Sequence, residues 1–150
     1  METINVNQLT SGEGGIYLLA ETPFSGFAIE TFPDGRLLTQ MSLMHGRLDG
    51  VTRRWHPNGQ LESEKGYRNG VLRVEKQWQA GERRRERYWD EQARLVQETH
   101  FHNPADTVRY QVYEMNDDGK LVKVKTEETK RPDSGGEPQG AGDGNPDGDK

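Results

Sequence analysis

One short phrase recurs four times along the chain and constrains the fold more than any other feature. Each copy has an aromatic or polar lead-in, a turn rich in Asn and Asp, a basic or amide residue and then Leu. The copies are FPDGRL (32–37), HPNGQL (56–61), WDEQARL (89–95) and MNDDGKL (115–121), and their leucines are 24, 34 and 26 residues apart. Self-similarity at such a period is typical of repeat architectures. The third copy has Ala93 where the others have Gly, so we expect its loop to differ.

A second phrase, which ends in glycine, alternates with the first. Its copies are LMHG (43–46), YRNG (67–70) and WQAG (78–81). Asn-Gly and related pairs are hairpin signals because these residues tolerate positive φ at low cost. Two of the runs between turns start with Leu and carry an aromatic residue six positions later, which predicts that both ends lie on one strand face. The pattern predicts an all-β fold, a single-layer antiparallel meander of β-hairpin repeats.

Composition favours a thin, extended architecture without cysteine chemistry. Only 30% of the 150 residues are apolar, while Trp, Tyr and Phe together supply twelve aromatic side chains for burial. With no cysteine, neither a disulfide nor a thiolate metal site can form. The acidic start and the short apolar run 16–20 do not match a signal peptide or a membrane span. We therefore expect a cytoplasmic protein.

The last twenty residues differ from the rest of the chain. After Lys130 the sequence has no Leu, Ile, Val or aromatic residue, and it contains five acids and two bases. Such a segment buries too little to offset its chain entropy. We therefore predict a hairpin-repeat domain over residues 1–130 and a disordered acidic tail over residues 131–150, either a solubilising or a docking segment. The nearly neutral body argues against nucleic-acid binding, for which a basic surface is expected.

The repeats carry a family resemblance over roughly residues 15 to 127. The residues concerned are PFSG (23–26), FPDG (32–35), Gly46, Gly50, WHPNG (55–59) and Gly70. They are similar to the bacterial variant of the MORN repeat found in YwqK-type antitoxins. The resemblance implies a meander of antiparallel hairpins and the neutralisation of a cognate toxin, often encoded beside it. Because a fold does not by itself assign a function, a MORN-repeat scaffold for protein or membrane-lipid association is the alternative.

Counting outward from the turns predicts which strand residues face one another. If Asn69-Gly70 and Ala80-Gly81 are two-residue turns and loop 90–94 closes Trp89 against Leu95, four glutamates form one row across neighbouring strands. The row consists of Glu64, Glu75, Glu86 and Glu98, with Arg73 and Arg84 diagonally close. Like charges placed opposite each other are destabilising. The row is therefore either a mixed-charge solvated face or a binding stripe for a basic partner.

The same counting places large aromatic residues on the other side of the sheet. They are Trp55, Tyr67, Trp78 and Trp89, with Lys76, Arg83, Arg85 and Arg87 between them. Aromatic residues beside arginines can form an interface hot spot or a base-stacking platform. In a small repeat sheet they more often form the core. Core packing, partner binding and nucleic-acid binding all remain open, in that order of preference.

The search for catalytic chemistry gives no candidate. His100 and His102 have a spacing that zinc sites use, but no third ligand is near in sequence, so surface or packed histidines are favoured. No nucleophile elbow, phosphate loop or metalloprotease helix is present in the sequence. We therefore expect a protein without enzymatic activity, cofactor or metal. The favoured interpretation is an antitoxin that binds a basic toxin domain, with the oligomeric state left open.

Overall fold

The computed structural model describes residues 1–102 and 107–130, and it confirms the all-β class. The predicted tail, residues 131–150, lies outside the described residues, so the domain boundary stays a prediction. The strands are β1 (Thr3–Asn5), β2 (Leu9–Ser11), β3 (Tyr17–Leu19), β4 (Thr22–Pro23), β5 (Gly26–Thr31), β6 (Leu37–Met44), β7 (Arg47–Leu48), β8 (Gly50–Trp55), β9 (Leu61–Arg68), β10 (Val71–Gln79), β11 (Glu82–Trp89), β12 (Leu95–His102), β13 (Thr107–Met115) and β14 (Leu121–Lys130). Two single-turn 3-10 helices span Val6–Gln8 and Glu13–Gly15.

One large sheet contains eleven of these strands. Strands β5, β6 and β8 to β14 lie side by side in chain order and pair antiparallel, with the short β7 beside β6. At one edge, β1 pairs with β5 in parallel, so that Ile4 lies opposite Ala28. Strands β2, β3 and β4 form a separate small sheet. Within the two described ranges, no helix is long and apolar enough to cross a membrane.

The four copies of the first phrase form loops with the same backbone hydrogen bonds. In each loop the first residue donates to the carbonyl of the fifth and the fourth donates to the carbonyl of the first, at N–O distances of 2.8 to 3.0 Å. The third copy does so as well, through Asp90, Ala93 and Arg94. Ala93 takes the left-handed φ of 64° that glycine adopts in the other copies. The expectation that this loop would differ is therefore wrong.

Hydrogen bonds that a side chain accepts from the backbone explain how this loop forms without its glycine. In the first two copies, Asp34 and Asn58 accept the backbone N–H two residues further along. In the third copy, Asp90 accepts from the backbone N–H groups of both Gln92 and Arg94. The two N–H groups held by Asp90 offset the cost of the left-handed conformation, which is about 1 kcal/mol or more for an alanine.

Six strand pairs of the large sheet contain a β-bulge, a feature that the counting argument did not include. The extra residue always lies on the second strand of the pair. The extra residues are Leu38, Glu62, Arg73, Arg84, Val96 and Val124. A bulge increases the local twist and moves every later side chain of its strand relative to the partner strand. Leu61 and Tyr67 therefore lie on different faces despite their even spacing.

The apolar core occupies only the N-terminal end of the large sheet. Its buried residues are Ile4, Phe24, Ala28, Met41 and Leu43. We call the face of the sheet that carries Ala28 and Met41 the core face. The strand pairing shows that Arg54 of β8 and Ser63 of β9 lie on this same face, which continues onto the later strands. Residues of the small sheet, including Leu9, Tyr17 and Leu19, pack against this core. The molecule therefore has two layers at this end, where a single layer was expected.

The turn at His45-Gly46 fixes the small sheet to the large one. The backbone N–H of Tyr17 donates to the carbonyl of Gly46, and the N–H of Gly46 donates to the carbonyl of Phe24, at 2.7 and 2.8 Å. A side chain at Gly46 would place its Cβ 2.9 Å from the carbonyl oxygen of Tyr17. Glycine is therefore required at this position by a close backbone approach as well as by its positive φ of 82°.

Candidate functional site

Beyond the apolar core, the core face is polar and is crossed by a row of alternating charges. Lys65, Glu75, Arg87 and Glu98 lie directly opposite one another on β9, β10, β11 and β12, and we call them the charge ladder. The Arg87 Nε donates to Glu98 Oε2 at 2.6 Å, while Arg87 Nη1 and Lys65 Nζ each lie 4.0 Å from Glu75. Opposite charges across strands stabilise a sheet.

The predicted row of four glutamates is therefore wrong. The turns themselves lie where they were expected, because Arg68 faces Val71, Trp78 faces Arg83 and Trp89 faces Leu95. The extra residues Arg73, Arg84 and Val96 then shift each pairing by one. This shift moves a cation between the acids.

Glu64 and Glu86 lie on the face opposite the charge ladder, where each has its own cation. Both face Lys76 across their strands. Glu64 accepts a hydrogen bond from the Nε of Arg53 at 2.7 Å. Glu86 accepts from Arg83 at 2.6 Å and from the hydroxyl of Tyr88 at 2.9 Å. Burial raises the pKa of Tyr88, and its hydrogen bond to Glu86 acts in the same direction.

The two acids of the charge ladder are buried although the described part of the chain places no second sheet over this region. Glu75 and Glu98 are each only 8% exposed. Burial alone raises the pKa of Glu98, but hydrogen bonds from His100 and Arg87 outweigh it and hold the pKa below its ordinary value. Burial followed by the nearby charge of Glu75 raises the pKa of Tyr67. The charge ladder is thus an ordered polar network rather than a solvated surface.

Next to the charge ladder, a groove of about 430 Å³ opens on the core face. Its lining includes the extra residues Glu62 and Arg84 of two bulges, together with Arg54, Lys65 and Glu75. Arg54 pairs with Glu62 at 3.4 Å and Lys65 lies 4.0 Å from Glu75. The groove thus contains two ion pairs and one further cation, Arg84.

One buried polar atom without a hydrogen-bond partner belongs to a residue of this groove, and two belong to residues that face groove residues across the strands. Among the described residues they are the Nε atoms of Arg84 and Arg85 and the Oγ1 of Thr52. Thr52 faces Lys65, and Arg85 faces Gln77, so both belong to the core face. The Arg85 Nη2 donates to Gln77 at 2.8 Å, but its Nε is not used. Buried donors without an acceptor are rare in proteins and call for an explanation.

The three tryptophans do not share a face, which corrects the predicted aromatic side. Trp55 and Trp78 follow Arg53 and Lys76 by two residues and lie opposite the core face, whereas Trp89 follows Arg87 and lies on it. Arg83 lies over Trp78, with its Cζ 5.4 Å from the ring centroid.

The cations predicted to lie between the tryptophans are divided in the same way. Lys76 and Arg83 lie with Trp78, but Arg85 and Arg87 lie on the core face, and so does Tyr67. Arg73 has a structural role, since its Nε donates to the carbonyl of Trp89 at 2.9 Å.

The two histidines of β12 lie two residues apart on the core face. His100 is hydrogen-bonded to Glu98 at 2.9 Å and packs edge-on against Tyr113. His102 is exposed and faces Arg109 across the strands. Within residues 1–102 and 107–130, no group of three or more potential metal ligands is brought together.

Comparisons with known proteins give little further information. No family model matches the chain, and no curated protein matches it. Two solved structures of DUF3836 family proteins are similar in part. The one from Bacteroides vulgatus is 10% identical, covers 69% of this chain and 96% of its own, and has a TM-score of 0.27. The one from Parabacteroides distasonis is 9% identical, covers 73% and 90%, and has a TM-score of 0.26. At such TM-scores the likeness supports no inference about function.

Proposed function

We propose that this chain is a non-enzymatic immunity protein that binds a cognate toxin domain through the core face of β8 to β12. One observation carries the proposal. The strands that continue the core face beyond the small sheet form a surface that no other described element covers, with an ordered charge ladder, a groove and unused donors. Ordering polar side chains on an open face costs conformational entropy, and a bound partner would use the resulting geometry.

The repeated loops support the antitoxin part of the proposal. All four copies of the first phrase form the same loop, including the copy that lacks glycine. A local structure repeated in this way fits the MORN-like pattern on which the resemblance to YwqK-type antitoxins is based. Repeat arrays offer extended binding surfaces because each unit contacts mainly its neighbours. The toxin would then carry out the chemistry, and this chain would block it.

The shape of the site is better suited to a protein surface than to a small substrate. The groove is open and lies on one face of a twisted sheet, and it is flanked by charged side chains rather than enclosed by apolar ones. Small-molecule sites are usually concave and largely apolar. Protein interfaces use polar rims and complementary charges for specificity.

The charge ladder gives no preference for a basic toxin. The expected row of four acids does not form, because Glu75 and Glu98 alternate with Lys65 and Arg87. The charge ladder is balanced, with two acids and two cations. Any preference for the partner's charge must therefore come from the groove.

The test is to co-express the chain with the protein encoded by the neighbouring gene and to measure growth rescue. We expect rescue by the wild type and its loss in the double variant Gln77→Trp/Ser63→Trp, which fills the groove itself. The control is Gln40→Trp, on the opposite face of β6. Urea denaturation shows whether all three proteins are folded.

Two outcomes would count against this function. If the wild type neither rescues growth nor binds the neighbouring protein, the scaffold alternative is favoured over the immunity protein. Rescue that is lost with Gln40→Trp but kept with the core-face variant would move the binding site to the other side of the sheet.

A further inference from the structure

We infer that the groove beside the charge ladder receives an acidic side chain of a protein partner, with its carboxylate paired to Arg84. The inference deepens the proposed function and rests on it for the identity of the partner. Carboxylate binding itself is inferred from the groove alone, and it can be tested with a peptide in the absence of any toxin.

The position of Arg84 follows from its bulge. Gln77 faces Arg85 and Trp78 faces Arg83, so Arg84 is the extra residue of β11. Arg84 lines the groove together with Gln77 and Glu75 of β10. Alternation already places Arg85 and Arg87 of β11 on the core face, and the bulge brings a third arginine, Arg84, into the groove beside them. Bulges are frequent next to binding sites because they redirect a side chain in this way.

The guanidinium of Arg84 has a donor that the protein does not use. Its Nε is buried and has no acceptor, although carboxylates line the same groove. Glu62 is within ion-pair distance of Arg54, and Glu75 lies near Lys65 and Arg87. The neighbouring Nε of Arg85 is also unused. Leaving a buried donor unpaired is unfavourable, and an acceptor that reaches it removes this penalty.

The charges of the groove select a singly charged anion. Its lining has three cations, Arg54, Lys65 and Arg84, two carboxylates, Glu62 and Glu75, and the imidazole of His56, which lies 3.9 Å from Glu62. With histidine counted as neutral at pH 7, the cations exceed the carboxylates by one positive charge. A carboxylate would balance it, and a guanidinium can donate two parallel hydrogen bonds to a carboxylate. A phosphate dianion would exceed this charge and approach Glu62 and Glu75, so we assign the site to Asp or Glu of a protein.

The first experiment titrates the protein with a blocked Gly-Glu-Gly tripeptide while the Nε–H resonances of Arg84 and Arg85 are followed by NMR. We expect saturable shifts with this peptide and none with its Gly-Gln-Gly counterpart. Arg84→Gln should weaken binding about tenfold, as expected for the loss of a hydrogen bond to a charged group. The matched control is Lys76→Gln, which removes one positive charge from the opposite face. Urea denaturation of both variants checks that they fold.

Three results would overturn the inference. They are equal shifts with the two peptides, equal weakening by Arg84→Gln and Lys76→Gln, and tighter binding of inorganic phosphate than of the glutamate peptide. Either of the first two would exclude a built carboxylate site, and the third would exclude its assignment to Asp or Glu.

The second experiment repeats growth rescue and binding kinetics with Arg84→Gln and Lys76→Gln. We expect Arg84→Gln to weaken the complex with the neighbouring protein about tenfold and Lys76→Gln to leave it unchanged. Rescue by wild type with no effect of Arg84→Gln would overturn this inference but keep the proposed function. Peptide binding without any toxin rescue would reject the proposed function and keep the carboxylate site.

Discussion

The two ends of the core face are built from the same kind of hairpin, yet they are stabilised in different ways. On β5 and β6 the core face presents Ala28, Met41 and Leu43, which the small sheet covers. On β9 to β12 it presents Lys65, Glu75, Arg87 and Glu98, over which residues 1–102 and 107–130 form no second layer. Hydrophobic burial requires a covering layer, whereas paired charges can be satisfied within one sheet. The comparison shows that one sheet can change its stabilising chemistry along its length and keep its topology.

The largest effect is expected at the covered end. Replacing Leu43, which is 1% exposed, with Ala should lower the free energy of unfolding by about 3 kcal/mol, because it leaves a cavity under the small sheet. Urea denaturation measures the loss, and hydrogen exchange should place it in β5 and β6. A loss below about 1 kcal/mol would mean that the small sheet does not form a tight layer.

A smaller loss is expected at the uncovered end. Arg87→Met removes the cation between Glu75 and Glu98 and leaves two buried carboxylates without their shared partner. Because the Arg87 side chain is 30% exposed, we expect a loss of about 2 kcal/mol, less than for a fully buried pair. Arg87→Lys is the control and should lose less, since it keeps the charge. Hydrogen exchange that loses protection in β5 rather than β10 to β12 would contradict the separation of the two ends.

The loops should respond alike at both ends, because their geometry is the same. Ala93→Gly should stabilise by about 1 kcal/mol, since Ala93 has a φ of 64°. Gly35→Ala should destabilise by a similar amount, because Gly35 has a φ of 92° and no atom would lie within 4 Å of its new Cβ. Thermal melting of both variants measures this. If both variants shifted the melting temperature in the same direction, the two loops would differ in solution.

The smallest expected effect is on how the free energy of unfolding depends on pH, which should differ between the two ends of the core face. The pKa of Glu98 is lower in the folded chain than its ordinary value of 4.5. A carboxyl with a lowered pKa contributes stability that is complete above its unfolded pKa and is lost as the pH falls through the folded pKa. Stability should therefore decrease below about pH 4.5, and Glu98→Gln should make that decrease shallower. Leu43→Ala should keep the slope of the wild type in urea midpoints measured at several pH values. An unchanged slope in Glu98→Gln would be the contrary result.

The sequence predicts the strand class and the turns, because both depend on local signals. Asn69-Gly70 and loop 90–94 lie where the turn residues indicate, and the strands between them follow. The third loop forms as well, although Ala93 replaces the expected glycine, because Asp90 accepts hydrogen bonds from two backbone N–H groups of the loop. The turn signals therefore tolerate one substitution when a neighbouring side chain supplies the hydrogen bonds.

The site could not be predicted in the same way, because its geometry depends on the bulges. The extra residues of the six bulges include leucine, valine, arginine and glutamate, so residue type alone does not mark an extra position. One signal was available. Counting without bulges places Glu75 opposite Glu86, an unfavourable pairing, and adding one residue replaces it with Glu75 opposite Arg87. A predicted row of like charges is thus better taken as evidence against the assumed register than as evidence for a partner.

Strand β14 ends the described part of the large sheet, and its sequence affects how the protein behaves at high concentration. A strand at a sheet edge offers free backbone groups to any other chain with a strand to add. Lys123, Lys125, Glu127 and Glu128 place charges of both signs along this edge, and Val124 adds a bulge to it. Charges and bulges on edge strands oppose the stacking of molecules into fibres. At this edge, the charges and the bulge of β14 therefore oppose the addition of a strand from a second copy of the chain.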